Sequence, residues 1–214
     1  ASLEARDGRG FNPLARAAKS GQKEIVTLFL NRGAQIDARS LEGATALYEA
    51  AETGRLPIVR ELVDRGANIG LAGRSGITPL AAAAYMGSEA IVELLIEKGA
   101  DPKIMDKTEK TAIVYAAGRG FPDIVNLLLD HGVDINARYG NDLTVLMWAA
   151  GYSDEAGTQD MEKVIKLLLD RGAKRRYPGI NNGQPIHYAK TAAVAELLAA
   201  NRDDLAMRSE YRGL

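Results

Sequence analysis

The chain has 214 residues, 27 of them Lys or Arg and 28 Asp or Glu, for a formal net charge of −1. The two halves are equally balanced, with no basic arm to hold nucleic acid by counterion release. Cysteine is absent, which excludes disulfides, thiolate metal sites and a Cys nucleophile; two histidines exclude a His-rich metal centre. Apolar residues make up 46%, enough for a core, yet no apolar run reaches the ~20 residues that cross a bilayer.

Glycines set a period. Gly10, Gly43 and Gly76 are 33 apart, as are Gly21, Gly54, Gly87 and Gly120, and again Gly33, Gly66, Gly99 and Gly132. Between them Leu14, Leu47, Leu80, Ile113 and Leu146 share one phase. The pairs Ala17-Ala18, Ala50-Ala51, Ala83-Ala84, Ala116-Ala117 and Ala149-Ala150 share another. Ile25-Val26, Ile58-Val59, Ile91-Val92 and Ile124-Val125 form a third. Apolar residues at i, i+3 and i+4 predict amphipathic helices. Each unit is thus expected to be a short Ala-rich helix, a Gly turn and a longer Leu-rich helix closed by a Gly cap. In chain order the units cover about 7–39, 40–72, 73–105, 106–138 and 139–178.

The first unit has Asn12 where the third has Thr78 as the helix-capping residue before Pro79. In the fourth and fifth, Glu109 and Asp142 replace the loop glycine, which questions the left-handed turn there. The fifth is seven residues longer, with the extra residues assigned to a turn at 153–160. The sixth, residues 177–214, is degenerate: Gln184-Pro185-Ile186-His187-Tyr188-Ala189 opens a helix, but Val194 to Leu198 comes three residues early. It is expected to be a C-terminal cap with a polar outer face at Arg202, Asp203 and Asp204 and a frayed helical tail over 205–214. Two short helices cannot bury their apolar stripes alone, so the units are expected to stack into a shared core.

Residues 76–100 carry almost intact the pattern Gly-x-Thr-Pro-Leu-x-x-Ala-Ala-x-x-Gly-x-x-x-Ile-Val-x-x-Leu-Leu-x-x-Gly-Ala. On that motif and its spacing the chain resembles the ankyrin-repeat family over roughly residues 1–201. The irregular units are similar to those of natural bacterial members. The resemblance implies an all-α solenoid of about six helix-turn-helix units with hairpin-like loops and a concave face that binds another protein, with no cofactor. A monomer is expected, and both a cytoplasmic and an exported, periplasmic location are compatible with the chain. Residues 1–7 align with 34–40 at the same step, so further repeats are expected upstream.

In this fold the residue before Ala-Ala points to the concave face: Arg16, Glu49, Ala82, Tyr115, Trp148 and Tyr188. The two after it include Lys19, Glu52, Tyr85, Met86, Arg119 and Tyr152. The series turns aromatic from the third unit, and aromatic residues with a polar tip are preferred interface anchors. Arg74, Ile77, Lys107, Lys110 and Leu143 on the loops border the same groove. The expected partner-binding set is therefore Arg74, Ile77, Tyr85, Met86, Lys107, Lys110, Tyr115, Arg119, Leu143, Trp148, Tyr152 and Tyr188. The competing reading makes Trp148 and Tyr115 scaffold packed between units.

No catalytic constellation emerges, and no enzyme is expected. His187 occupies the family's loop-bracing place, and His131 precedes a helix-ending Gly as a cap. Asp154, Glu155, Asp160 and Glu162 crowd the inserted turn but lack calcium-loop spacing. Lys174, Arg175 and Arg176 form the single basic cluster, a solvated loop or a contact for an acidic or phosphorylated partner. Two other readings stand beside the binding scaffold: a regulatory or targeting module of a longer polypeptide, and an enzyme that uses the acidic turn.

Overall fold

The computed structural model describes residues 2–152, 158–177 and 183–199. The expected features at residues 153–157 and 200–214, including Asp154, Glu155, Arg202, Asp203, Asp204 and the tail, lie outside these. The chain divides into two compact units, Ala1–Ala112 and Ile113–Leu214.

The first unit holds three helix pairs: α1 (Pro13–Lys19) with α2 (Lys23–Asn31), α3 (Ala46–Glu52) with α4 (Leu56–Asp64), and α5 (Pro79–Tyr85) with α6 (Glu89–Glu97). Each short helix starts because a side-chain oxygen takes an otherwise orphaned amide. Asn12 Oδ1 accepts from Ala15 at 2.8 Å, Thr45 Oγ1 from Tyr48 at 3.1 Å and Thr78 Oγ1 from Ala81 at 3.2 Å. Pro13 and Pro79 occupy first-turn positions where no amide bond is lost. The short helices pack side by side, α1 on α3 and α3 on α5, as do α2 on α4 and α4 on α6. Only methyl side chains fit between them: Ala17, Ala18, Ala50, Ala51, Ala83 and Ala84 are all buried. Val59, Leu62, Val92 and Leu95 fill the layer beneath from the longer helices.

The second unit contains α7 (Ala112–Arg119) and α8 (Pro122–Asp130), a hairpin of β1 (Arg138–Tyr139) and β2 (Leu143–Thr144), and α9 (Val145–Met147). A π-helical turn over Trp148–Tyr152 follows, then α10 (Thr158–Asp170), a 3-10 turn over Pro185–Tyr188 and α11 (Ala192–Leu198). Arg138 pairs with Thr144 and Tyr139 with Leu143 in antiparallel register. The architecture is all-α, with this hairpin as the strand content among the described residues. Part of the seven-residue insertion lengthens a helix: α10 has 13 residues where α8 has nine, so residues 158–160 are helix rather than turn. In the sixth repeat the first helix shrinks to the 3-10 turn, and α11 provides the second.

Glu109 and Asp142 keep the left-handed backbone of the glycines they replace, at φ +58° and +59° against +76°, +83° and +81° at Gly10, Gly43 and Gly76. The loop geometry is therefore kept even where the residue resists it.

Candidate functional site

Arg74 is the hub of the first unit's loop-and-helix surface. It sits in a tight loop closed by the Ile77 amide donating to the Arg74 carbonyl at 2.9 Å. Its Nε reaches Glu42 at 2.6 Å, one terminal nitrogen reaches both Glu52 oxygens at 2.8 and 2.7 Å, and the other reaches Glu49 at 2.6 Å. Glu49 is 0% exposed, and its second oxygen lies 2.9 Å from Lys19 Nζ. The guanidinium also stands 5.5 Å over the Tyr48 ring, whose hydroxyl donates to Glu52 at 3.0 Å. Burial works against the Arg74 charge, but bonds to Glu52 and Glu42 and the nearby Glu49 outweigh it and push its pKa above the ordinary arginine range. Burial, with the Glu52 charge beside it, raises the Tyr48 phenol. Gly73 makes this approach feasible: a Cβ there would lie 2.6 Å from the Tyr48 ring.

The other expected contact residues of this unit are more open. Tyr85 and Ile77 are half-buried, and Met86 is 46% exposed directly after α5. Lys107 is exposed while its amide bonds the Ser75 carbonyl at 2.9 Å. Lys110 is half-buried, its amide held by Asp106 Oδ1 at 3.1 Å.

In the second unit Tyr115, Arg119 and Tyr188 are half-buried. Trp148 and Leu143 are packed inside, at 6% and 3% exposure. The backbone leaves α geometry at Trp148, and Gly151, at φ +147°, presses against the sixth repeat: a Cβ would lie 2.4 Å from the Tyr188 carbonyl oxygen. The Tyr152 side chain lies outside the described residues. The structure thus keeps the expected residues in two sets, one in each unit.

Both histidines act on backbone. His187 Nδ1 accepts from the Gly183 and Gln184 amides, each at 3.2 Å, and burial lowers its pKa. His131 caps α8, with Nδ1 2.8 Å from the Leu127 carbonyl. Among the described residues no group of three His, Asp or Glu is placed to hold a metal ion, and Asp160 pairs with Lys163 at 3.2 Å. Among the described residues no helix is long and apolar enough to cross a membrane.

Sequence reasoning missed one series. Arg6 donates to the Gly10 carbonyl of its own loop and to the Arg39 carbonyl 33 residues on. Arg39 repeats this with Gly43 at 3.1 Å and Ala72 at 2.7 Å, and Arg138 bonds the Asp142 carbonyl at 3.1 Å. The step of 33 from Arg6 to Arg39, and its recurrence at Arg138, was the available signal. The Arg74 cluster had none, because its members are 22 to 32 residues apart in no repeated phase.

A family profile described as ankyrin repeats (3 copies) matches residues 1–72 and 67–139. The crystal structure of the human ASB11 ankyrin repeat domain is similar, at 26% identity and a TM-score of 0.78, over 89% of this chain and 85% of that one. No curated protein matches at a significant level. Ankyrin repeats are in general protein–protein interaction modules and typically non-enzymatic scaffolds. On the matched residues, the helix pairs and the 33-residue step, the chain belongs to the ankyrin-repeat family.

Proposed function

We propose that the chain is a non-enzymatic scaffold that holds a partner protein on its concave face, the face of first helices and loops. The observation that carries this is Met86 beside Tyr85. Helix α5 meets its packing needs with Ala81, Ala82, Ala83 and Ala84, all at 4% exposure or less, and then presents an exposed thioether and a half-buried phenol. Adaptable Met and rigid Tyr suit a protein interface. Ile77, Lys107 and Lys110 extend this contact set in the first unit, and Tyr115, Arg119 and Tyr188 supply it in the second, with Tyr152 in the same phase. Arg74 contributes by fixing its loop, since all its donating nitrogens are engaged. Trp148 and Leu143 support the face from within.

The test is a pull-down with wild type, Met86→Asp and Tyr85→Ala, each checked by thermal melting. Protein species retained by wild type and lost from both variants, at unchanged melting temperature, support the reading. Species captured equally by all three overturn it.

A further inference from the structure

Neighbouring second helices of the first unit are cross-linked by polar side chains 34 residues apart. Thr27 Oγ1 donates to Glu61 Oε2 at 2.8 Å and Arg65 to Asn31 Oδ1 at 2.9 Å, joining α2 to α4. Lys98 donates to Asp64 at 2.8 Å, joining α4 to α6. The same step sets Lys23 opposite Pro57 and Arg60 opposite Leu94. Neither Pro nor Leu has a polar side-chain atom, so at these two places the cross-link is missing and a cation is left over. Both cations are exposed.

Lys23 and Arg60 line one groove of about 420 Å³ between α2 and α4. Lys23 and Thr27 form its α2 wall, and Pro57, Arg60, Glu61, Asp64 and Arg65 its α4 wall. The two carboxylates of the groove are committed. Glu61 takes Thr27 on one oxygen and Arg65 on the other, the latter at 3.2 Å. Asp64 is held by Lys98 and acts on Arg60, one turn before it, through charge alone. Glu24 follows Lys23 directly, and adjacent residues of a helix do not face the same way. The groove therefore keeps two positive charges that its own acids do not satisfy.

We propose that this groove takes one phosphate monoester, presented as a phosphoserine or phosphothreonine side chain of a partner protein. Two unsatisfied cations on one cavity match a single group that carries ≈ −1.5 to −2 charge, whereas a carboxylate would use only one of them. Arg60 supplies a planar fork for two phosphate oxygens and Lys23 a point charge. Small-molecule sites are concave and mostly apolar, but this groove is a surface feature with one apolar lining residue, Pro57, among seven. The phosphate accordingly arrives attached to a larger molecule. None of these residues belongs to the face proposed above.

The probe is a short Ala/Gly peptide, blocked at both ends and carrying one phosphoserine, titrated into isotope-labelled protein and followed by amide NMR shifts. The shifts should saturate, concentrate on residues 23–27 and 57–61, and weaken as salt rises. The same peptide with Glu for phosphoserine should bind about ten-fold more weakly, and with Ser not at all. Lys23→Gln/Arg60→Gln should lose about ten-fold or more in affinity for the phosphopeptide. Lys103→Gln/Lys166→Gln, the same charge change on exposed residues elsewhere, should stay within about two-fold. Melting curves check the fold, and the two single Gln variants replace the double should it melt early. No saturable shift, shifts centred elsewhere, equal affinity for the Glu peptide or equal loss in both double variants overturns the proposal. So does tighter binding, through the same two residues, of adenosine monophosphate or of phosphatidic-acid vesicles.

Discussion

Arg74 and Glu49 meet at 2.6 Å although they are 25 residues apart, and Glu49 has no solvent exposure. Removing one partner of such a pair leaves a carboxylate stranded away from water. Arg74→Met should therefore cost about 3 kcal/mol of stability by denaturant unfolding. Adding Glu49→Leu should recover most of that loss. A single variant as stable as wild type would show that Lys19 alone satisfies Glu49.

Glu109 holds a left-handed backbone at φ +58° that disfavours any side chain with a Cβ. Glu109→Gly should stabilise by about 1 kcal/mol, since relief of the strain exceeds the added freedom of the unfolded chain. The melting temperature is the measurement, and a fall would mean that the loop is not strained.

Asn12 caps α1 with its oxygen, but its Nδ2 is buried without a hydrogen-bond partner. Thr45, Thr78 and Thr144 cap the equivalent helices through a hydroxyl, which carries one rotatable donor where the Asn12 amide carries two fixed ones. Asn12→Thr should gain about 1 kcal/mol by denaturant unfolding. No gain would mean that the amide is hydrated in solution.

His187 predicts a pH dependence. Its Nδ1 is an acceptor in the fold and burial depresses its pKa below the ordinary 6.5. The unfolded imidazole thus binds a proton more readily than the folded one, and stability rises with pH through that window. The contribution is complete above about pH 6.5 and is lost as pH falls toward the lowered folded value. Melting scans between pH 8 and 5 should show this loss, and His187→Gln should flatten it.

Trp148→Ala should remove about 3 kcal/mol or more, because a 6%-exposed indole leaves a cavity. Calorimetry that finds the transition unmoved would assign the ring to an open surface instead.

The repeat register, the helix pairs and most caps were legible in the sequence because each is a local rule applied at a fixed step. Glu109 and Asp142 were doubtful from propensity alone, yet both take the left-handed turn, with the Glu109 amide bonded to the Asp106 carbonyl and the Asp142 carbonyl to Arg138 across their own loops. Counting by helical phase placed Trp148 on the open face; the π-helical turn that begins there breaks the phase, so the count no longer gives the direction of the ring. Leu143 was assigned to a loop tip, whereas β2 pairs it with Tyr139 and buries both. Arg74 was placed among the contact residues bordering the groove, because nothing in one dimension shows three glutamates converging on it.

The arginine rungs have an engineering consequence. Arg6 and Arg39 each stitch one inter-repeat loop to the next, but the third and fourth positions of that series are Ala72 and Met105, which have no such donor. A duplicated 33-residue module spliced after Ala72 or Met105 would cut no side-chain stitch of this kind, whereas a splice after Arg39 would reroute one. Those two seams are where the array is most readily lengthened.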